Sequence, residues 1–362
     1  MPVRHRFHPL TVTAKNWLTP DSIQFRLEVP ADLSKTFRYK AGQHLPIRVS
    51  LGGEDLRRTY SICASEAEQV LDIAIRIQPH GKFGLFSSET LQIGDKVDVM
   101  PPTGRFQQVT CTESGARYAA FVAGSGITPV LSILKTILYD ETDSHFTLFF
   151  GNRERSSIML LETLLGLKNR YPKRLTYHFL LSRETPDTAL HAGRLDAAKI
   201  KGLLEAYFPR SMPNQCYVCG PDTMIETVTD TLRVQGIDAG RVHSERFNAV
   251  RRAPSTETCP VSESQTDRGT TDVSVMMDGH TRSFKMQRDG VTVLDAALEN
   301  GLDLPFACKG GVCSTCRVRV LEGDVRMQAN FALQPWETQA GYVLACQSRP
   351  LSKRLTLDYD QV

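Results

Sequence analysis

Four cysteines near the C-terminus constrain this chain more than any other feature: Cys308, Cys313 and Cys316 share one short loop, and Cys346 stands alone further on. Thiolates bind metal, and a Cys-x4-Cys-x2-Cys loop with a distant fourth cysteine is the spacing that wraps two sulfide-bridged irons, two thiolates to each. Such a loop must curl tightly with little side-chain bulk. Gly310 and Gly311 remove that bulk and let backbone N–H groups face the sulfurs, while the flanking Ser314 and Thr315 are small as well. A structural zinc site is the alternative. Zinc sites favour cysteines paired at both ends of the motif, so the lone Cys346 favours a [2Fe-2S] cluster with Cys308, Cys313, Cys316 and Cys346 as ligands. The other cysteines, Cys63, Cys111, Cys216, Cys219 and Cys259, are scattered. Cys216 and Cys219 form a Cys-x2-Cys pair, but it has no matching pair and does not open a helix as a thioredoxin-type motif would.

The rest of the composition bounds the class. With 362 residues there is room for two or three domains. The 43 basic and 40 acidic residues are scattered and nearly balanced, which argues against a nucleic-acid or membrane-surface binder. Residues 1–20 lack the apolar core of a signal peptide, and the chain is expected to be cytoplasmic. The apolar stretch 118–139 contains Gly124, Gly126, Pro129 and Lys135, so it reads as a strand, a loop and a helix rather than a membrane span.

Periodicity divides the chain. Leu45, Ile47 and Val49, then Leu71, Ile73, Ile75 and Ile77, alternate with period two, and turn clusters such as Gly52-Gly53-Glu54-Asp55 and Ile93-Gly94-Asp95 separate such runs. Residues 1–110 are therefore expected to form an all-β antiparallel barrel. From 111 to 248 the rhythm changes to strands at 119–123, 146–150, 175–181 and 217–219. Helices are expected at 129–138, 158–167 and 223–234, giving an α/β domain with a parallel sheet. Residues 249–270, rich in Ser, Thr, Pro and Glu, read as a linker that lets the last module swing. In 271–362 a hairpin around Asp278-Gly279 and a helix at 291–300 accompany the cysteine loop, as in an α+β β-grasp domain.

Two further constellations carry chemistry. Arg58-Thr59-Tyr60-Ser61, placed at the start of a strand, offers a guanidinium for a pyrophosphate and a ring to stack on a flavin, against the plainer reading of a buried Tyr beside a surface Arg. Gly124-Ser125-Gly126-Ile127-Thr128-Pro129 joins a strand to a helix, where glycines and free N–H groups suit a dinucleotide pyrophosphate. A tight βα turn is the plainer reading there. Arg153 and Ser182-Arg183 follow strand ends, where cations would select a 2′-phosphate, against the plainer reading of solvated surface charges.

Together, Arg-x-Tyr-Ser, Gly-x-Gly-Ile-Thr-Pro and Cys219-Gly220-Pro221 resemble the ferredoxin–NADP reductase superfamily, and with the cysteine module the resemblance covers essentially the whole chain. It implies that Arg58, Thr59, Tyr60 and Ser61 contact FAD, with Ser61 near the flavin N5. It also implies that Ile75 and Arg76, with Gly81, Lys82 and Phe83, form the next flavin segment, in which Gly84 departs from the usual serine. Gly124, Gly126, Ile127 and Thr128 would hold NADPH, with Arg153, Ser182 and Arg183 at its 2′-phosphate. Cys219 would lie at the nicotinamide C4, with Gly220, Pro221 and Met224 beside the coenzyme and Glu245 and Phe247 near the flavin. Ser61, Cys219 and Glu245 are thus the implied catalytic set.

The resemblance implies a reductase that converts a hydride's electron pair into single electrons and passes them to an oxygenase component. The segments 7–10, 151–153, 180–184, 332–337 and 346–352 look like those of relatives serving a diiron epoxidase that acts on an aromatic acyl-CoA, phenylacetyl-CoA. Reductases for Rieske-type ring hydroxylases or steroid hydroxylases, some with FMN and NADH, share the domain order, and a non-enzymatic electron carrier is the reading from another class. From Thr271 onward 10 basic and 11 acidic residues leave a net charge of −1, too small for long-range steering, so docking is expected to rest on local contacts.

Overall fold

Alternating apolar residues in the first hundred positions build one six-stranded antiparallel sheet. Its strands are β1 (His8–Thr19), β2 (Ser22–Glu28), β3 (His44–Leu51), β4 (Glu54–Ser61), β5 (Leu71–Arg76) and β6 (Lys96–Val99), in the order β4-β3-β6-β1-β2-β5. Ile62, just past β4, bridges Ile73 of β5 and closes the sheet on itself around Leu10, Ile23, Phe25, Leu45 and Ile47. The computed structural model describes residues 6–111, 113–184, 188–247 and 269–361, and divides the chain into two compact units, Met1–Phe247 and Asn248–Val362. The expected linker therefore lies outside the described residues except at its end, where Thr270 is already in a strand.

Two expectations for the barrel need correction. Arg58-Thr59-Tyr60-Ser61 ends a strand rather than starting one. Only Gly52 and Gly53, at φ +59° and +81°, make the turn, and Glu54 already pairs with Leu51. The region is also not all-β: a helix, α1 (Lys82–Glu89), precedes β6 and buries Phe83 and Ser87.

The second part of this unit is an all-parallel sheet of β7 (Arg117–Ala123), β8 (His145–Asn152), β9 (Leu175–Leu181), β10 (Gln215–Cys219) and β11 (Val242–Glu245), in the order β11-β10-β7-β8-β9. Helices α2 (Ile127–Asp140), α3 (Leu161–Arg170), α4 (Ala197–Tyr207) and α5 (Asp222–Val234) cover it. Burial on both faces explains why Tyr118, Ala119, Ala120, Phe121 and Val122 run without alternation. Helix α4, capped by Asp196 accepting from the Lys199 N–H, was not among the expected elements. Helix α3 starts later than its apolar run, because Leu160 turns left-handed at φ +59° and sends Ile158 and Met159 into the core as loop.

The barrel and this sheet share packing. Ser132 on α2 donates to the Ala64 carbonyl (2.6 Å), Lys135 pairs with Glu68 (3.0 Å), and the Tyr217 hydroxyl accepts from the Val109 N–H (2.9 Å).

The second unit is a β-grasp. β12 (Thr270–Met277), β13 (His280–Gln287), β14 (Arg317–Glu322), β16 (Tyr342–Leu344) and β18 (Arg354–Asp358) form a sheet ordered β13-β12-β18-β14-β16, with β12 and β18 parallel. β15 (Val325–Met327) pairs with β17 (Ser348–Pro350). α6 (Val293–Glu299) buries Val293, Leu294, Ala296 and Ala297 against the sheet, and α7 (Pro335–Gln339) precedes β16. Glu337 of α7, fully buried, pairs with Arg317 at 2.5 Å beside Cys316. Among the described residues no helix is long and apolar enough to cross a membrane.

Candidate functional site

The parallel sheet reverses its strand order between β7 and β10, the place where open α/β sheets bind ligands beyond their strand C-termini. Two glycine turns meet there. Gly126 lies so close to the β10 turn that a Cβ on it would sit 2.2 Å from the Cys219 carbonyl oxygen, and one on Gly220 would sit 2.6 Å from Met224 Cε. Gly124 differs: its surroundings are open, and its φ of +56° is what suits glycine. Thr128 donates to the Ser125 carbonyl (3.0 Å) and shapes the turn before α2, whose Ile127 is buried. Pro221 is the residue just before α5.

Cys219 is buried, and burial followed by the nearby Glu245 carboxylate raises its thiol well above the ordinary value, so it is a neutral, compact group rather than a nucleophile. Cys216, pushed up to about 12 by burial, is also a free buried thiol, and the pair forms no disulfide. Cys219 stands in register with Glu245 on β11. Phe247, at the end of the described stretch, is exposed.

On the neighbouring strand ends, the Ser182 N–H donates to the Asn152 carbonyl and the Arg183 N–H to the Arg153 carbonyl (2.8 Å), so these residues form one patch. Arg153 and Arg183 are both exposed, and the buried Asn152 Oδ1 has no hydrogen-bond partner among the described residues. Glu184 accepts from the Arg155 N–H (2.7 Å) at its edge.

On the barrel, Arg58 is exposed with its guanidinium donating to the Arg57 carbonyl (2.7 Å), Thr59 is half-buried and Ser61 is buried. The Tyr60 ring tilts against Phe83 at 5.1 Å, and burial raises its phenol, opposed by Arg58. Ile75 is core, and Gly81 precedes α1. That helix starts with no side-chain cap and no acidic residue, and the Leu85 N–H is the first to bond back, to the Gly81 carbonyl (3.0 Å). Its opening N–H groups have no partner within the helix, as at helix starts that can take an anion, while Lys82 beside them pairs with Glu54 (2.5 Å). Gly84 also has a steric reason, since a Cβ there would meet Ile77 Cα at 3.2 Å. Arg76 turns to Asp21 (3.3 Å) and the Ser157 carbonyl (2.6 Å), and burial lowers its pKa, with Arg153 adding to the effect.

Sequence reasoning missed His44, which pairs cross-strand with Ser61 and stands 3.6 Å from Glu245. A lone histidine in a strand has no spacing to reveal it.

In the other unit the four cysteines fall into two thiol pairs. A hydrogen bond from Cys313, helped by the N–H groups of Gly310, Val312 and Cys313, holds Cys308 down to about 5 against its burial. Cys346 is likewise lowered by a hydrogen bond from Cys316, then by Gln347 and the Gly311 N–H. Donors already surround the sulfurs: the Gly310 N–H to Cys308 (3.3 Å), Thr315 Oγ1 to Cys313 (3.2 Å) and Gln347 Nε2 to Cys346 (3.5 Å). Gly311, at φ +76°, lets the loop approach the Ala329 carbonyl. Two thiol pairs with donors on their sulfurs fit two irons and the charge of their ligands.

Three family models match successive parts of the chain. The oxidoreductase FAD-binding domain matches residues 9–108, the oxidoreductase NAD-binding domain 121–230 and the 2Fe-2S iron–sulfur cluster binding domain 275–351. The chain is 39% identical to one component of the 1,2-phenylacetyl-CoA epoxidase of Escherichia coli K12, over 98% of each protein. It is 32% identical to the ferredoxin reductase component of 3-ketosteroid-9-alpha-monooxygenase of Rhodococcus rhodochrous, over 97% of this chain and 96% of that protein. Among solved structures, phthalate dioxygenase reductase, described as a modular structure for electron transfer from pyridine nucleotides to [2Fe-2S], superposes with a TM-score of 0.58. That match has 23% identity and covers 97% of this chain and 98% of that one, a likeness of fold.

Proposed function

Because the chain belongs to the ferredoxin–NADP reductase superfamily, in the branch whose oxygenase reductases carry a 2Fe-2S domain, we propose that it passes electrons from NADPH through FAD and a [2Fe-2S] cluster to a diiron epoxidase acting on phenylacetyl-CoA. The full-length identity with the E. coli epoxidase component carries the partner assignment, since it runs through all three domains. When bound, FAD supplies the one capacity protein side chains lack: taking two electrons as a hydride and releasing them singly.

In this reading Arg58, Lys82 and the open end of α1 hold the FAD pyrophosphate, with Thr59, Ile75, Arg76, Gly81 and Phe83 completing the cradle. Tyr60 stacks on the flavin and Ser61 borders its N5. Gly124, Gly126, Ile127, Thr128, Gly220, Pro221 and Met224 shape the coenzyme channel, and Cys219 supports the nicotinamide without bearing charge. Glu245 and Phe247 border the flavin from the other side. Arg153, Ser182 and Arg183 grip the 2′-phosphate, which favours NADPH over NADH; their shared patch supports this. Cys308 and Cys313 hold one iron, Cys316 and Cys346 the other. The protein acts in the cytoplasm.

Reconstitution tests the assignment. The purified chain should support turnover of a diiron phenylacetyl-CoA epoxidase with NADPH, and poorly with NADH. Support of a 3-ketosteroid or Rieske-type oxygenase alone would favour the second reading, for which the steroid-monooxygenase relative speaks.

A further inference from the structure

Three buried residues and the part-buried Glu245 line up across two sheets. On the barrel, Ser61 of β4 and His44 of β3 are cross-strand neighbours. On the parallel sheet, Cys219 of β10 and Glu245 of β11 are neighbours in register. The link between the two pairs is His44 Nδ1 to Glu245 Oε1, at 3.6 Å, with side chains only 7% and 11% exposed. The backbone around the ring holds it in place. Gly104, at φ +118°, leaves room that a Cβ would take, 2.8 Å from His44 Nδ1, while residue 44 exchanges both backbone hydrogen bonds with Thr103.

The far atoms of the pair, His44 Nε2 and Glu245 Oε2, are buried and have no hydrogen-bond partner among the described residues. Buried polar atoms are nearly always satisfied, and an exception at a ligand site points to a group that comes from outside the chain. A separation of 3.6 Å is an ion-pair distance, and catalytic hydrogen bonds are often this long before ligands bind.

We propose that His44 is a positioning residue for hydride transfer: with its proton on Nδ1 it donates to Glu245, and so keeps the Cys219–Glu245 edge aligned with the Ser61 edge. The inference rests on the reading above, in which flavin and nicotinamide meet at these two edges. Glu245 alone would be a buried carboxylate free to turn to other donors. His44 fixes which oxygen faces the barrel and which faces the ligands.

The test uses the full chain loaded with flavin, reduced anaerobically by saturating NADPH and followed by loss of flavin absorbance. His44→Leu should slow flavin reduction by about tenfold or more, with flavin content retained and the NADPH concentration at half-maximal rate little changed. His44→Asn, whose side-chain N–H replaces that on Nδ1, should recover most of the rate. A purely structural contact would alter flavin retention and coenzyme affinity instead, and Asn would not rescue it selectively. A wild-type rate in His44→Leu, or a rate in His44→Asn as low as in His44→Leu, overturns the proposal. Should His44→Leu fail to fold, Glu245→Gln alone and combined with His44→Asn serves, and strictly additive losses overturn it. Failure of NADPH to bleach the wild-type flavin would instead refute the reductase reading, a distinguishable outcome.

Discussion

Replacing Gly126 by alanine should do far more damage than the same change two residues earlier. The new Cβ at 126 would lie 2.2 Å from the Cys219 carbonyl oxygen and 2.6 Å from its carbon, both backbone atoms with no side-chain freedom to yield. Real Cβ contacts stay outside 3.0 Å, so the β7–α2 and β10–α5 turns must separate by about 1 Å. Overpacking of this kind costs about 1–3 kcal/mol in stability. Kinetically, a shift of about 1 Å between positioning groups can cost on the order of 10²-fold. Gly124→Ala meets open space and bears only the left-handed strain of its φ of +56°, about 1–2 kcal/mol. NADPH-driven ferricyanide reduction, which needs no partner protein, is the assay. Gly126→Ala should fall by about 10²-fold and Gly124→Ala by only a few-fold. Wild-type activity in Gly126→Ala, or a reversed order of the two, would refute the reasoning.

Arg183→Ala should raise KM for NADPH by about tenfold or more and leave KM for NADH nearly unchanged, measured in the same steady-state assay. Removing Glu337 as Glu337→Ala leaves Arg317 without its buried counter-charge at 2.5 Å. Because Arg317 keeps some exposure, the cost should be about 2–3 kcal/mol, seen as earlier loss of cluster absorbance in denaturant titration. His178, packed against Tyr207 at 3.9 Å, has its pKa lowered from 6.5 to about 4, first by burial and then by His191. Since the unfolded state takes up the proton first, its contribution is intact above pH 6.5 and is lost as pH falls toward 4. His178→Leu should therefore show a flatter loss of thermal stability across that window than the wild type.

The architecture was legible where sequence pattern and chemistry coincide. Burial on both faces of β7 writes an unbroken apolar run, and the cysteine spacing announces the loop before β14. Other features needed the third dimension. Helix α1 hides because only Phe83 and Ser87 reach the core along with Gly84, too few to print a helical period. The start of β4 hides because Glu54 and Asp55 are exposed edge residues with turn-like composition. Motifs located the glycines at 124 and 126 but not their different reasons, one conformational and one steric. The partnership of His44 with Glu245 joins residues some two hundred positions apart, and no local pattern encodes it.

Electron splitting by a flavin joined to an iron–sulfur cluster is the claim on which all else depends. An anaerobic titration of the purified chain with NADPH, followed by visible absorption and low-temperature electron paramagnetic resonance, tests it most directly. The flavin should bleach together with the appearance of a reduced [2Fe-2S] signal that is lost in Cys346→Ser. A protein that holds zinc in place of iron and sulfide, or a flavin that bleaches while the cluster stays oxidised, would contradict it.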